Sequence, residues 1–98
     1  GGSSWDIQTV DDGVPLGKGK YSSISLDSND YPHISYQDVM LGDLKYAKWD
    51  GSSWDIQIVD DEGITGLFTS IAVDYLDNIH ISYFDEDDDN LVYAYYQN

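Results

Sequence analysis

Residues 2–12, GSSWDIQTVDD, return as residues 51–61, GSSWDIQIVDD, with ten of eleven positions identical at a spacing of 49. A chain that repeats itself over this distance is built from stacked copies of one small unit, because a single unit cannot bury its apolar face alone. Further matches follow. Ser23-Ile24 pairs with Ser70-Ile71, and His33-Ile34-Ser35-Tyr36 with His80-Ile81-Ser82-Tyr83. Leu44, Tyr46 and Ala47 pair with Leu91, Tyr93 and Ala94, and these later matches stand 47 apart. The two-residue difference falls between Asp12 and Ser23, where Gly13, Pro15, Gly17 and Gly19 predict a loop.

Each repeat carries four strand-like segments, A to D. Strand A is expected at Ser22–Asp27 and Thr69–Asp74, and strand B at Pro32–Asp38 and Ile79–Asp85. Strand C is expected at Leu44–Trp49 and Leu91–Tyr96, and strand D at Trp5–Val10 and Trp54–Val59. Turn residues separate them: Asp27-Ser28-Asn29-Asp30, Asp77-Asn78, Gly42-Asp43 and Asp50-Gly51. No stretch keeps a 3.6-residue period. Side chains alternate instead, with Trp5, Ile7 and Thr9 on one face and Asp6 and Gln8 on the other; Trp54, Ile56 and Ile58 repeat the pattern. Ile24 and Leu26 oppose the small Ser25, and Ile71 and Val73 oppose Ala72, so one face of strand A suits the close approach of a neighbouring sheet. Four short strands in about 40–50 residues are the pattern of a propeller blade. The expected fold is all-β. It has two four-stranded antiparallel propeller blades in one domain (residues 1–98, repeats 2–50 and 51–98), circularly permuted as D-ABCD-ABC.

The runs Ser22-Ser23-Ile24-Ser25-Leu26-Asp27, Pro32-His33-Ile34-Ser35-Tyr36 and Gly42-Asp43-Leu44-Lys45-Tyr46-Ala47 resemble the propeller-type repeats of large microbial surface proteins. The resemblance covers nearly the whole chain. It implies a propeller fold and an extracellular or cell-surface setting, and it says little about activity.

The permuted order leaves the first strand D without its own A-B-C, and the last A-B-C without a D. The intact C–D connection reads Trp49-Asp50-Gly51-Ser52-Ser53-Trp54, and Tyr96-Gln97-Asn98 followed by Gly1-Gly2-Ser3-Ser4-Trp5 of another copy reads almost the same. The expectation is strand exchange between copies, with Trp5 and Ile7 of one chain meeting Leu91 and Tyr93 of the next. Two blades are too few to close a ring, since propellers have about four to eight. A head-to-tail homo-oligomer is therefore expected, with the six-bladed trimer favoured and an open filament as the alternative. The start at Gly1 rather than Met is expected to follow removal of a leader or tag.

Net charge is −15, with four lysines and no arginine, which argues against nucleic acid or an anionic membrane surface as a partner. No apolar run is long enough to insert in a membrane as a helix. With no cysteine, disulfides and thiolate metal sites are excluded. Residues 1–49 hold seven acids and four lysines, net −3, and residues 50–98 hold twelve acids and no lysine, net −12. Lys18 or Lys20 of one copy is therefore expected to approach the acidic loop at 85–90 of the next.

Three clusters invite chemistry. His33 and Ser35, like His80 and Ser82, share a strand face and could pair a base with a nucleophile. Their presence in both repeats favours a structural hydrogen-bond network instead. Asp85, Asp87 and Asp89 alternate as calcium-loop ligands do. The run is similar to the Asp-x-Asp-x-Asp-Gly loops of integrin-type propellers, but Asn90 replaces the glycine and Tyr93 or Tyr96 stands where a downstream carboxylate is needed. A solvated acidic hairpin is the simpler account. Trp5, Trp49 and Trp54 could stack on carbohydrate, and the Trp-Asp-Gly-x-x-Trp run at 49–54 resembles two-blade fucose lectins. Those lectins use an arginine in the sugar site, which is missing here. Paired carboxylates occur, but none forms a glycosidase-type acid/base pair. The function expected is a non-enzymatic, self-assembling structural or interaction module of an extracellular surface structure. The alternative is a lectin-like or calcium-dependent binding propeller.

Overall fold

A computed structural model of the chain describes residues 4–12 and 17–98. The predicted loop markers Gly13 and Pro15 and the turn-like Gly1–Ser3 lie outside the described residues. The described residues form strands β1 (Lys20–Leu26), β2 (Pro32–Asp38), β3 (Asp43–Trp49), β4 (Trp54–Asp60), β5 (Leu67–Val73), β6 (Ile79–Asp85) and β7 (Asn90–Tyr96), and no helix. The chain is all-β. Strands β1-β2-β3-β4 make one antiparallel blade-like sheet and β5-β6-β7 a second, each running in chain order. These are the A-B-C-D and A-B-C segments of the two repeats.

One expected strand is not formed. Trp5–Val10 makes no ladder, and Trp5 and Ile7 are 92% and 90% exposed. Its near-identical twin β4 is a strand because β3 lies beside it, pairing Trp49 with Trp54, Ala47 with Ile56 and Tyr46 with Gln57. A strand's backbone groups need a partner edge to be satisfied, so the same sequence without that edge stays irregular.

The repeat reaches the backbone irregularities. β1 and β5 each break register at the same place, between Lys20 and Ser23 and between Leu67 and Ser70. The displaced residues Tyr21 and Phe68 both adopt positive φ, 55° and 51°, and their ring centroids stand 4.8 Å apart. Bulges of this kind bend a strand and raise its twist.

β1 lies against β5, and the sheets stack face to face from that line. The Ser23 and Ser25 hydroxyls accept the backbone N–H groups of Ile71 and Val73 at 3.2 and 3.1 Å, an approach that larger side chains would block. The apolar core takes Leu44 and Tyr46 from the first sheet and Ile71, Ile79, Ile81 and Tyr83 from the second. Gly66 makes the core tight: φ is +82°, and a Cβ there would sit 2.9 Å from Leu44 Cα. Polar groups thread the same interface. Thr69 Oγ1 donates to Ser35 Oγ at 3.0 Å, and Gln37 Nε2 donates to the Thr65 carbonyl at 2.8 Å. Among the described residues no buried side-chain nitrogen or oxygen lacks a partner, as burial requires.

Candidate functional site

Both histidines sit in an Asp–His–Tyr chain, drawn from the turn after strand A, from strand B and from strand C. His33 Nε2 lies 2.8 Å from Asp27 Oδ2, and its Nδ1 lies 2.5 Å from Tyr46 Oη. His80 repeats this with Asp74 at 2.8 Å and Tyr93 at 2.8 Å. A carboxylate only accepts, so Nε2 carries the proton and Nδ1 accepts the tyrosine O–H. Neither ring nitrogen is left free to act as a general base. The serines stand apart from this chain: Ser35 is engaged by Thr69, and Ser82 is exposed. The network runs from histidine to tyrosine thirteen residues on. The sequence carried that signal in the common spacing of Asp27/Asp74, His33/His80 and Tyr46/Tyr93.

The carboxylates record these contacts. Burial raises the Asp27 carboxyl, but hydrogen bonds from His33, Tyr31 and Asn29 outweigh it and leave the group below its ordinary value. At Asp74 the His80 hydrogen bond leads, against some burial, and with Asn78 and Leu76 holds the carboxyl at about 2. A carboxyl depressed by folding contributes stability at higher pH and loses it as pH falls through its folded value. The melting temperature, followed by tryptophan fluorescence, should therefore fall as pH drops from 3.8 towards about 2. His80→Gln should move that loss to higher pH. A melting temperature that is flat or rising over this window would contradict the account.

A second contact repeats, once between the sheets and once between the first sheet and the N-terminal segment. Tyr83 Oη donates to Asp60 Oδ2 at 2.6 Å, and Tyr36 Oη donates to Asp11 Oδ2 at 2.8 Å. Asp60 ends β4, while Asp11 ends the irregular segment that is the twin of β4. Gln8 of that segment accepts the Trp54 indole N–H at 3.3 Å, and Lys45 reaches Asp11 at 3.4 Å. Trp54, Tyr36 and Lys45 all lie on the face of the first sheet that points away from the second. The N-terminal segment therefore occupies, on the outer face of the first sheet, the place that β4 occupies on the second.

The acidic loop engages its own backbone. Asp85 Oδ1 accepts the N–H groups of Asp87 and Asp88 at 3.1 and 3.3 Å, and Asp87 Oδ2 accepts that of Ile64 at 3.1 Å. Asp89 turns the chain with φ of 59°. Among the described residues no three His, Cys, Asp or Glu side chains converge as a metal site. Lys18, expected to meet this loop from another copy, instead pairs with Asp38 of its own chain, both side chains being buried. Lys20 stays exposed. Trp49 and Trp54 tilt against each other across the β3–β4 hairpin, 5.5 Å between centroids, and neither is buried.

The largest feature is a pair of open faces. The sheets stack in tandem, so the buried face of the first sheet is the repeat-twin of the outward face of the second. Leu44 is 0% exposed and its twin Leu91 84%; Tyr46 is 7% exposed and Tyr93 61%. The converse holds on the other side, where Ile71 is 6% exposed and its twin Ile24 61%, with Leu26 at 54% beside it. Comparison with family models, with curated proteins and with solved structures returns no match.

Proposed function

We propose that this chain is a non-enzymatic, self-associating structural module whose copies stack head to tail. The observation that carries it is the twin relation of the open faces. The outward face of the second sheet (His80, Ser82, Leu91, Tyr93) has the residue pattern that the first sheet uses to bury the second. The outward face of the first sheet (Ile24, Leu26, Ile34) has the pattern that the second sheet presents in return. A second copy can therefore continue the stack with part of the contacts already made inside one chain, although Ala72 and Phe84 stand where Ser25 and Gln37 make theirs. Ser22 would meet Ser82 as Thr69 meets Ser35, and Ile24 N–H would meet Ser70 as Ile71 N–H meets Ser23. Such a contact is heterologous, so it closes into a ring or runs on as a filament. Two sheets per chain make a dimer, trimer or tetramer of four, six or eight blades, and we favour the trimer.

Burial of Leu91, Tyr93, Ile24 and Leu26 is worth roughly 1.5–3 kcal/mol for each side chain before the cost of association is subtracted. Charge opposes the contact, since every chain carries −15. Screening should therefore strengthen assembly as salt rises to physiological strength. Native mass spectrometry and light scattering at micromolar concentration should report a closed trimer, or a filament visible by electron microscopy. A chain that stays monomeric at both low and physiological salt would end the proposal.

A further inference from the structure

We infer that residues Trp5–Val10 of one copy form the missing fourth strand on β7 of another, in the register that β4 keeps on β3. The inference rests on the self-association proposed above and adds its partner segment, its groove and its register.

β7 is a bare edge. Beside it, between β4 of the first sheet and β7 of the second, runs a groove of about 190 Å³ lined by Tyr46, Gln57, Val59, Ile81, Ala94 and Tyr96. A strand laid along β7 would cover this groove. The β3–β4 ladder supplies the register, because β7 is the twin of β3 and residues 5–10 are the twin of β4. Trp49↔Trp54 becomes Tyr96↔Trp5, Ala47↔Ile56 becomes Ala94↔Ile7, and Tyr46↔Gln57 becomes Tyr93↔Gln8. In this register Trp5 and Ile7 share a face with Tyr96 and Ala94 and point into the groove. A slip of one residue would turn them to the opposite face.

One polar contact fixes the arrangement further. The Trp54 indole donates to Gln8 on the outer face of the first sheet, at 3.3 Å. Moving that contact one sheet along the stack makes the incoming Trp5 indole donate to Gln57, which already lines the groove. The segment cannot reach the β7 of its own chain by the same path. Asp11 and Gln8 hold it on the face of the first sheet that points away from the second, with the whole sheet between. The same two anchors leave it where the second sheet of another copy would arrive, so the occupant is a second copy of this chain. Strand and face then form one junction.

The chain has no cysteine, so introduced thiols report alone. Copies carrying Ile7→Cys are mixed with copies carrying Ala94→Cys, and Gln8→Cys copies with Tyr93→Cys copies. Neighbouring pairs alternate between the two spacings of an antiparallel ladder, so one of the two sets has the closer geometry. Under mild oxidation, mixed dimers should link faster by roughly a hundredfold than an Ile7→Cys with Tyr95→Cys control, as the effective concentration at a paired site dictates. Peptide mass spectrometry should place the bond at the named pairs. If light scattering shows assembly but linkage is absent, or equals the slipped control, strand exchange is wrong and face stacking alone holds the copies. If the unlinked chain is monomeric, the exchange and the self-association fall together.

Discussion

Leu44→Ala should lower stability by about 3–4 kcal/mol at every protein concentration. Leu91→Ala, the same substitution at the repeat-twin, should change the lone chain by no more than about 0.5 kcal/mol and weaken only the assembly. Leu44 is fully buried, packed in the cluster with Tyr46, Ile71 and Tyr83 and against the backbone of Gly66. Truncation there removes apolar contacts and leaves a cavity in a place that the tight Gly66 approach keeps from collapsing. Leu91 holds the equivalent position on β7 and is 84% exposed, so truncation removes little from the single chain. Domains are stable by only about 5–15 kcal/mol, and one of this size lies towards the low end, so the Leu44 loss is a large share of the total. Urea titration by tryptophan fluorescence at dilute and concentrated protein separates the two effects. Equal losses for both variants in dilute protein would show that the twins are equally buried, and the open-face account would be wrong. An assembly indifferent to Leu91→Ala would place the contact elsewhere.

The contrast between these leucines marks what the sequence can and cannot say. Alternation and turn residues carry local information, so strands B were legible to the residue as β2 and β6, and β3, β4 and β7 lie within one residue of expectation. Trp5–Val10 was read as a strand for the same local reason. It fails in the lone chain because pairing is a property of two segments. The Ile24/Ser25 and Ile71/Ala72 alternation was legible as two unlike faces, but which face lies buried depends on the order in which the sheets stack. The histidines were singled out in both repeats together with Ser35 and Ser82, which stand apart from them, while their tyrosine partners were not. Tyr46 lies on the neighbouring strand, and only the register that sets Ser35 opposite Tyr46 brings its hydroxyl to the His33 ring. The Asp11–Tyr36 and Asp60–Tyr83 pairs were hidden for a similar reason, since each joins the end of a strand D segment to strand B of the sheet that follows it in the chain. Lys18 misled most: a lysine in a glycine-rich loop of an acidic chain reads as a solvent-facing charge.

Lys18→Met should cost about 3 kcal/mol, the low end of the range for breaking a buried ion pair. Lys18 Nζ bonds Asp38 Oδ2, with side chains only 7% and 0% exposed. The hydrogen bond to Asp38 leads in raising the lysine pKa above its ordinary value, ahead of the opposing effect of burial. Burial leads at Asp38 and would raise it, but Lys18, the Leu41 N–H and Lys45 together hold the carboxyl below its ordinary value. Methionine keeps the length and the apolar stem of the lysine and removes the charge. The Asp38 carboxylate then stays buried with Lys45 at 3.9 Å and the Leu41 N–H at 3.4 Å, partners too distant to replace the lost one but enough to limit the loss. The sign with pH is diagnostic. In the parent the folded Asp38 value is depressed, so its contribution is present above 3.8 and lost as pH falls through the folded value. In Lys18→Met burial is poorly opposed and the folded value rises above the unfolded one, so the variant recovers relative to the parent as pH is lowered and the carboxyl takes up a proton. The double variant Lys18→Met/Asp38→Leu should return to within about 1 kcal/mol of the parent and lose this pH dependence, because removing both partners leaves no buried charge unpaired. Urea titrations of the three variants at neutral and acidic pH decide the matter. A Lys18→Met chain as stable as the parent, with no convergence at low pH, would show that the lysine does not neutralise Asp38 in solution.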